Sequence, residues 1–202
     1  MPDRRVYFCR KASPGGTLYI PWHIFIPALQ NCKSGARRVI EMIRDVEKSE
    51  LSRCAELIRR SFMTVAEDFG FTAENAPGFT AFAATEERLL YQLEQERRVM
   101  RAYCTGGGQL IGYYSLLPQD NDECELSNLC VLPEYRRSGV ASLLLEDARL
   151  RAGELGRVKM NIGIVEENRP LRRWYESRGF VHTGTEKFER FPFTCGYLET
   201  AL

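Results

Sequence analysis

A short basic segment, RRSGVA at residues 136–141, lies between an apolar run and a leucine-rich stretch. The apolar run is typical of a strand and the leucine-rich stretch of a helix, so the segment marks a helix start. The first N–H groups of a helix lack intrahelical partners and carry a partial positive charge, which suits a phosphate. Gly139 would let a pyrophosphate approach the backbone, and Arg136 or Arg137 could add a charged contact.

The same segment has a plainer interpretation as a solvated, basic helix start. It lacks the lysine and the spacing of a Walker loop. The glycine-rich run at residues 105–108 is not a nucleotide fingerprint either, because it has neither the G-x-G-x-x-G spacing nor a following helix. Since glycine accepts a positive φ, that run is typical of a hairpin turn.

A regular pattern of apolar residues begins at residue 39 and predicts the elements that must hold the segment. The predicted helices cover residues 51–62, 86–95, 140–155 and 171–178. The predicted strands cover residues 39–43, 99–103, 110–117, 124–132 and 158–164, with one or two more within 180–198. Residues 66–85 contain two glycines, a proline and four phenylalanines, and they predict a mobile aromatic loop.

Length and charge limit the class of protein. A chain of 202 residues with 44% hydrophobic content is typical of one globular domain. The net charge of +1 argues against a nucleic-acid surface, although residues 1–38 carry about +6 and the remainder about −5. We therefore divide the chain into a basic, loosely ordered leader at residues 1–38 and a domain at residues 39–202.

Several features argue against membrane and metal functions. The apolar run at residues 18–29 is twelve residues long and contains two prolines, whereas a membrane-spanning helix needs about 20 residues. The seven cysteines are an odd number without C-x-x-C spacing, and His23 and His182 have no partner at metal-ligand spacing. These features predict reduced thiols, a cytoplasmic location and no metal.

Two stretches carry a resemblance to a known family. LCVLPEYRRSGVASLLL resembles the acyl-CoA-binding motif of the GNAT acetyltransferase superfamily, a strand, then [Q/R]-x-x-G-x-[G/A], then a helix. NIGIVEENRPLRRWYESRGF resembles the family's next strand and helix, where an asparagine follows the strand and a tyrosine stands four residues before a Gly-Phe pair. Here these residues are Asn168 and Tyr175. The resemblance covers about residues 42–198, and the leader has no counterpart in it.

The resemblance implies an α/β fold with a mixed, mostly antiparallel sheet of six to seven strands and helices on both faces. It also implies acetyl transfer from acetyl-CoA to a primary amine by direct attack in a ternary complex. Backbone N–H groups of Leu129 or Val131 would hold the thioester carbonyl and pantetheine, and the RRSGVA backbone with the Arg136 side chain would hold the pyrophosphate. The implied cofactor-binding set is Leu129, Val131, Arg136, Arg137, Ser138, Gly139, Val140, Ala141 and Asn168.

The resemblance also suggests two catalytic residues. Tyr175 would donate a proton to the departing CoA sulfur, and Glu125 would be the general base. Each residue also has a plainer interpretation. Tyr175 could be an aromatic residue that packs on the sheet. Glu125 could be a solubilising charge on the strand, near Glu123, and chains of water molecules could then take the proton from the amine. Asn168 could instead cap the last helix, because asparagine is a good N-cap and Pro170 follows at an early helical position.

The acceptor and the class of function leave alternatives open. Glu67, Asp68 and Glu74 lie among phenylalanines within residues 64–85, which suits a cationic amine, but solvated acids and core aromatics fit equally well. A CoA-binding regulatory module without turnover is the main alternative to an enzyme. Nucleic-acid binding through the basic leader is a third. We expect an amine substrate, no nucleic-acid or membrane partner, and a monomer or homodimer.

Overall fold

The computed structural model describes residues 42–202. The leader, Cys9, Cys32 and His23, on which some predictions fall, lie outside these residues. The helices are α1 (Leu51–Phe69), α2 (Thr80–Ala83), α3 (Glu86–Glu94), α4 (Val140–Glu154) and α5 (Arg169–Glu176). The strands are β1 (Met42–Asp45), β2 (Val99–Cys104), β3 (Leu110–Pro118), β4 (Glu123–Val131), β5 (Lys159–Val165), β6 (Val181–Lys187) and β7 (Thr194–Ala201).

The seven strands form a single sheet in the order β1-β2-β3-β4-β5-β7-β6. Every neighbouring pair is antiparallel except β4 and β5, which are parallel. Helix α1 packs on β3 and β4, and α4 also packs on β3 and β4. On the α4 side, the Tyr114 hydroxyl of β3 donates to Asp147 of α4 over 2.6 Å. The predicted mixed sheet with helices on both faces is confirmed.

The prediction of a mobile loop at residues 66–85 is wrong in part. Helix α1 continues past residue 62 to Phe69 and ends at Gly70, whose φ of +68° suits a helix C-terminus. Residues 80–83 form the short helix α2. Phe71 and Phe79 are buried, which a mobile surface loop would not allow. The apolar positions Phe62, Ala66 and Phe69 continue the helical spacing, so the periodicity extended further than predicted.

Four phenylalanines close the α1 side of the sheet, and we call them the aromatic cluster. Phe71 lies 5.0 Å from both Phe79 and Phe193 between ring centroids, and Phe62 lies 6.1 Å from Phe79. The Phe62–Phe79 and Phe71–Phe79 pairs are edge to face and the Phe71–Phe193 pair is tilted, and such contacts add to the stabilisation that burial provides. The cluster therefore holds the β6–β7 connection, which carries Phe193, against α1 and α2.

An ion pair joins β1 to the start of α1 and makes stability depend on pH. The two terminal guanidinium nitrogens of Arg44, Nη1 and Nη2, each donate to the Glu50 carboxylate over 2.6 Å, and the Glu47 N–H donates to it over 3.2 Å. The Arg44 bonds lower the pKa of Glu50 from 4.5 to about 2. Because the folded pKa is lowered, the contribution is present above pH 4.5 and is lost as the pH falls towards 2.

We expect Glu50→Gln to reduce the free energy of unfolding by about 2 kcal/mol at pH 7, since Arg44 is partly exposed and water screens the pair. The difference from wild type should shrink as the pH falls below 4.5. Urea unfolding at pH 7 and pH 3 measures both values. Glu56→Gln, at an exposed position of α1, is the control and should change stability little. A difference that is the same at both pH values would contradict this assignment.

Within residues 42–202, no helix is both long and apolar enough to cross a membrane. This part of the chain contains five cysteines, all buried and free of disulfides: Cys54, Cys104, Cys124, Cys130 and Cys195. Burial raises the pKa of the Cys54, Cys124 and Cys130 thiols to about 12, so they stay protonated at neutral pH.

Candidate active site

The two parallel strands of the sheet separate part of the way along their length. Strands β4 and β5 pair only from Glu123 opposite Lys159 to Glu125 opposite Asn161. Beyond this point β4 continues to Val131 and β5 to Val165 without pairing to each other. A cavity of about 620 Å³ is lined by residues of both strands along this gap. The separation exposes strand backbone to a ligand at the centre of the fold.

A bulge in β4 accompanies the separation. Ser115 of β3 lies opposite Ser127, but Tyr113 lies opposite Cys130, so β4 carries one extra residue. Asn128 within the bulge has a φ of +56°, a conformation that asparagine tolerates better than most residues. A bulge bends its strand and increases its twist, which directs the end of β4 away from β5.

The two β4 residues predicted to bind through their backbone lie at different places. Leu129 lines the cavity, whereas Val131 is buried and lies opposite Gly112 of β3. The N–H of Leu132 donates to Ile111 on the β3 side over 2.9 Å. Because N–H directions alternate along a strand, the Val131 N–H points to the opposite side, where β5 has separated. Both positions remain predicted ligands.

The RRSGVA segment forms a tight turn into α4, which begins at Val140 as predicted. Arg137 and Gly139 both have positive φ, +62° and +88°. The first amide of the helix to donate within the chain is that of Ser142, to the Gly139 carbonyl over 3.0 Å. Among the described residues, the backbone N–H groups of residues 137–141 have no acceptor. Five consecutive free N–H groups at a helix start are an arrangement that suits an anion, so the segment remains a predicted pyrophosphate site.

The Arg136 side chain points towards α1. Its Nη2 donates to the Ser61 carbonyl over 2.8 Å and to the Thr64 hydroxyl over 2.9 Å. Ser138 is also held locally, because its hydroxyl donates to the Tyr135 carbonyl over 2.6 Å. In this arrangement Arg136 fixes the turn to α1 and leaves the backbone to face a ligand. Its predicted contact with pyrophosphate would require the side chain to leave these partners.

Tyr175 lines the large cavity from α5, the helix that follows β5. The residue is only 5% exposed, and its ring contacts Trp174 and Phe180 edge to face. Burial raises the pKa of its hydroxyl well above the ordinary value of 10, so the group keeps its proton at neutral pH. Within residues 42–202 this hydroxyl has no hydrogen-bond partner. It is therefore a protonated donor that borders the cavity.

Asn168 fulfils the capping role considered from the sequence. Its side-chain oxygen accepts from the Leu171 N–H over 3.2 Å, and Pro170 stands in the first turn of α5. Asn168 also lines the large cavity. The cap fixes the direction of α5, which in turn orients Tyr175.

Glu125 lines the large cavity and belongs to a polar network that sequence reasoning missed. Its carboxylate accepts from the Ser127 hydroxyl over 2.5 Å and from Arg98 over 3.4 Å. Arg98 is almost fully buried and also donates to Ser127 and to Glu96. These contacts hold the carboxylate in one orientation at the point where β4 and β5 separate.

Other acidic residues considered from the sequence lie elsewhere or are paired. Glu123 is bound by Lys159 over 2.5 Å and accepts from Asn161 over 3.2 Å. Glu67, Asp68 and Glu74 are exposed, and none lines the large cavity. The structure therefore favours the interpretation that these three acids are solvated. Phe79, from the same region of the chain, does border the cavity.

The remaining predictions concern metal and histidine. Residues 42–202 contain no group of three or more side chains arranged to hold a metal ion. His182 lies 3.0 Å from the Glu166 carboxylate, which Arg172 also binds. His182 does not line the large cavity.

Comparison with known proteins identifies the class. Residues 95–182 match the family model of the GNAT acetyltransferase domain. Uncharacterised N-acetyltransferases of Mycobacterium bovis and Mycobacterium tuberculosis are 32% identical to this chain over 81 residues, which is 40% of this chain and 52% of each relative. The matched region thus spans about half the length of these relatives.

Solved structures share the fold. A PaiA N-acetyltransferase from Thermoplasma acidophilum, in complex with coenzyme A, has a TM-score of 0.68 at 17% identity and covers 81% of this chain and 99% of its own. The ribosomal-protein-S18-alanine N-acetyltransferase from Escherichia coli has a TM-score of 0.63 at 17% identity, with 80% and 94% covered. Residues 95–182 thus match a GNAT acetyltransferase domain, and the motifs and the fold agree with that match, so the predicted resemblance to the GNAT superfamily is confirmed.

Proposed function

We propose that this protein is an acetyl-CoA-dependent N-acetyltransferase that acts on a primary amine. The observation that carries the proposal is the gap between β4 and β5, which Glu125 borders from β4 and Tyr175 from α5. A cavity with an oriented carboxylate and a protonated hydroxyl suits a reaction in which one proton is removed and another is supplied. The GNAT neighbour that holds coenzyme A supports the choice of acyl donor.

The residues present fit a CoA thioester. The five free N–H groups of residues 137–141 suit the pyrophosphate, because backbone amides at a helix start carry partial positive charge. Gly139 presents no side chain there, and a Cβ built on it meets nothing within 4 Å. Backbone groups at Leu129 and Val131, on the unpaired part of β4, suit the pantetheine arm and the thioester carbonyl.

Bound acetyl-CoA supplies an acyl carbon attached to a good leaving group. Glu125, directly or through water, takes a proton from the acceptor ammonium, so that the neutral nitrogen forms its bond to the acyl carbon. Backbone N–H groups of β4 stabilise the carbonyl oxygen as it gains negative charge. The carbon–sulfur bond breaks, and the Tyr175 hydroxyl gives its proton to the departing thiolate. As the amide forms, its nitrogen loses a second proton, which returns to the Tyr175 phenolate directly or through water. Glu125 releases the first proton to solvent. The products are an acetamide and free CoA.

A CoA-binding module without turnover is the second candidate. It would use the free N–H groups of residues 137–141 in the same way and would not need the polar groups in the cavity. The network that orients Glu125 favours the enzyme, because a buried arginine and a hydroxyl directed at one carboxylate serve no evident purpose in binding CoA alone.

Free-thiol release from acetyl-CoA, measured with a panel of primary amines, distinguishes the two candidates. The panel should contain small monoamines, diamines, amino alcohols, aminoglycosides and peptide N-termini. We expect amine-dependent thiol release with at least one class, because neutral amines attack thioesters once positioned. Binding of acetyl-CoA without amine-dependent release would instead support the regulatory module.

The wider assignments stay predictions. A cytoplasmic location, the division into residues 1–38 and 39–202, and a monomeric or homodimeric state follow from the sequence arguments alone. The proposed chemistry uses no metal.

A further inference from the structure

A second, smaller cavity of about 60 Å³ adjoins the large one, and we call it the side pocket. It is lined by residues of α2, α3 and the β6–β7 connection. The two cavities share five lining residues: Phe79, Glu125, Ser127, Asn128 and Phe193. Because Glu125 borders both, an amine held by Glu125 in the large cavity would have the side pocket beside it.

Gln92 of α3 is the unusual residue of the side pocket. The side pocket is lined in part by Gln92, which is only 5% exposed, and the Gln92 Oε1 has no hydrogen-bond partner within residues 42–202. A buried amide oxygen without a donor is unfavourable, and native structures rarely keep one without a reason. The side pocket therefore favours a ligand that brings an N–H or O–H donor to Gln92.

The size and walls of the side pocket limit this ligand group. A volume near 60 Å³ corresponds to roughly two water molecules or a group of two or three heavy atoms. Ala83, Ala84, Leu89 and Phe191 supply apolar wall. Only a short group with one polar end fits both the volume and the walls.

The charges around the side pocket favour a neutral group. Two guanidinium groups, of Arg88 and Arg98, line it, together with the carboxylate of Glu125. That carboxylate already accepts from Arg98 and Ser127. Arg98 is paired with both Glu96 and Glu125, so no carboxylate among the lining residues is left to bind a second ammonium. Burying that charge without a partner is costly, whereas a hydroxyl or carboxamide carries no charge.

We propose that the side pocket recognises a short neutral donor, a hydroxyl or carboxamide, carried one or two carbons from the reacting amine. Gln92 is then a specificity-determining residue for the acceptor. This inference rests on the proposed function, since it takes the large cavity as the acceptor site. It predicts amino alcohols and amino amides, rather than diamines, as the preferred class.

Three amines of four heavy atoms test the proposal: 2-aminoethanol, n-propylamine and 1,2-diaminoethane. Their binding to the full chain in the presence of CoA is titrated by saturation-transfer NMR, and kcat/KM is measured separately with acetyl-CoA. We expect wild type to bind 2-aminoethanol roughly tenfold more tightly than either analogue, the scale of one hydrogen bond. Gln92→Leu should remove this preference.

Two further variants sharpen the comparison. Gln95→Leu changes an exposed glutamine at the end of the same helix and should keep the preference of wild type. Gln92→Glu keeps the shape of the side chain and adds a charge, so it should shift the preference towards 1,2-diaminoethane. This variant keeps the proposal testable if Gln92→Leu does not fold.

Several results would overturn the proposal. These are equal binding of 2-aminoethanol and n-propylamine by wild type, no binding of 2-aminoethanol, tighter binding of 1,2-diaminoethane, or an unchanged preference in Gln92→Leu. The binding measurement is independent of turnover. Preferential binding of 2-aminoethanol without acetyl transfer would support the side pocket and contradict the proposed enzyme.

Discussion

Gly139→Glu is expected to weaken acetyl-CoA binding by roughly 100-fold or more while the domain stays folded. The new carboxylate would stand beside the free N–H groups of residues 137–141, repel the pyrophosphate and compete for its donors. Loss of two charge-assisted hydrogen bonds, each about 1.5 kcal/mol, corresponds to about this change in affinity. Isothermal calorimetry with acetyl-CoA measures it.

Gly156→Glu is the matched control for this variant. Gly156 follows the other end of α4 and has a φ of +71°, close to the +88° of Gly139, and a Cβ built on either residue meets nothing within 4 Å. Both substitutions thus impose a similar backbone strain and add the same charge. Acetyl-CoA affinity should be lost only in Gly139→Glu. Equal losses would mean that strain or net charge, rather than the turn into α4, explains the effect.

The turn into α4 could be predicted from the sequence because its properties are local. A strand, two arginines, a glycine and a helix follow one another within about 25 residues, and the free N–H groups follow from the helix start itself. The hairpin at residues 105–108 has the same local character, and β2 and β3 pair across it. The separation of β4 from β5 is not visible in the strand pattern, because it depends on the bulge at Asn128 and on how far two distant strands pair.

The polar network behind Glu125 could not be predicted because it depends on long-range packing. Arg97 and Arg98 are identical in type and adjacent, yet Arg97 is exposed with a φ of +52° and Arg98 is buried against Glu125. Their difference arises from the turn before β2 and from the register of β2 beside β3. Gln92 is similar, since helical spacing places it on the buried side of α3 but cannot reveal a cavity beside it.

The aromatic cluster also depends on long-range packing that the sequence does not show. Composition suggested a mobile loop because glycine, proline and phenylalanine alternate over residues 66–85. The partner that orders this region, Phe193, lies more than 100 residues later, in the β6–β7 connection. The spacing of neighbouring residues does not reveal a contact with so distant a residue. Tertiary contacts, rather than local composition, therefore determine the structure of residues 66–85.

Tyr175→Phe is expected to lower kcat by roughly 100-fold or more while acetyl-CoA affinity and stability stay near those of wild type. The ring packs against Trp174 and Phe180, and phenylalanine keeps these contacts. The hydroxyl has no protein partner to lose within residues 42–202, so its removal should not destabilise the fold. Steady-state kinetics with any accepted amine, calorimetry with acetyl-CoA and thermal unfolding give the three values.

Tyr113→Phe separates catalysis from the loss of a buried hydroxyl. Tyr113 is fully buried in β3, its hydroxyl also has no hydrogen-bond partner among the described residues, and it does not line the large cavity. Neither hydroxyl has a hydrogen bond to lose among the described residues, so removing either should change stability little, but only Tyr175 borders the proposed reaction site. A fall in kcat confined to Tyr175→Phe would support proton donation to the departing thiolate. Full activity of Tyr175→Phe would show that water or another group protonates the sulfur and that Tyr175 is a packing residue. Equal losses of affinity and rate in this variant would indicate a structural role in holding the cofactor.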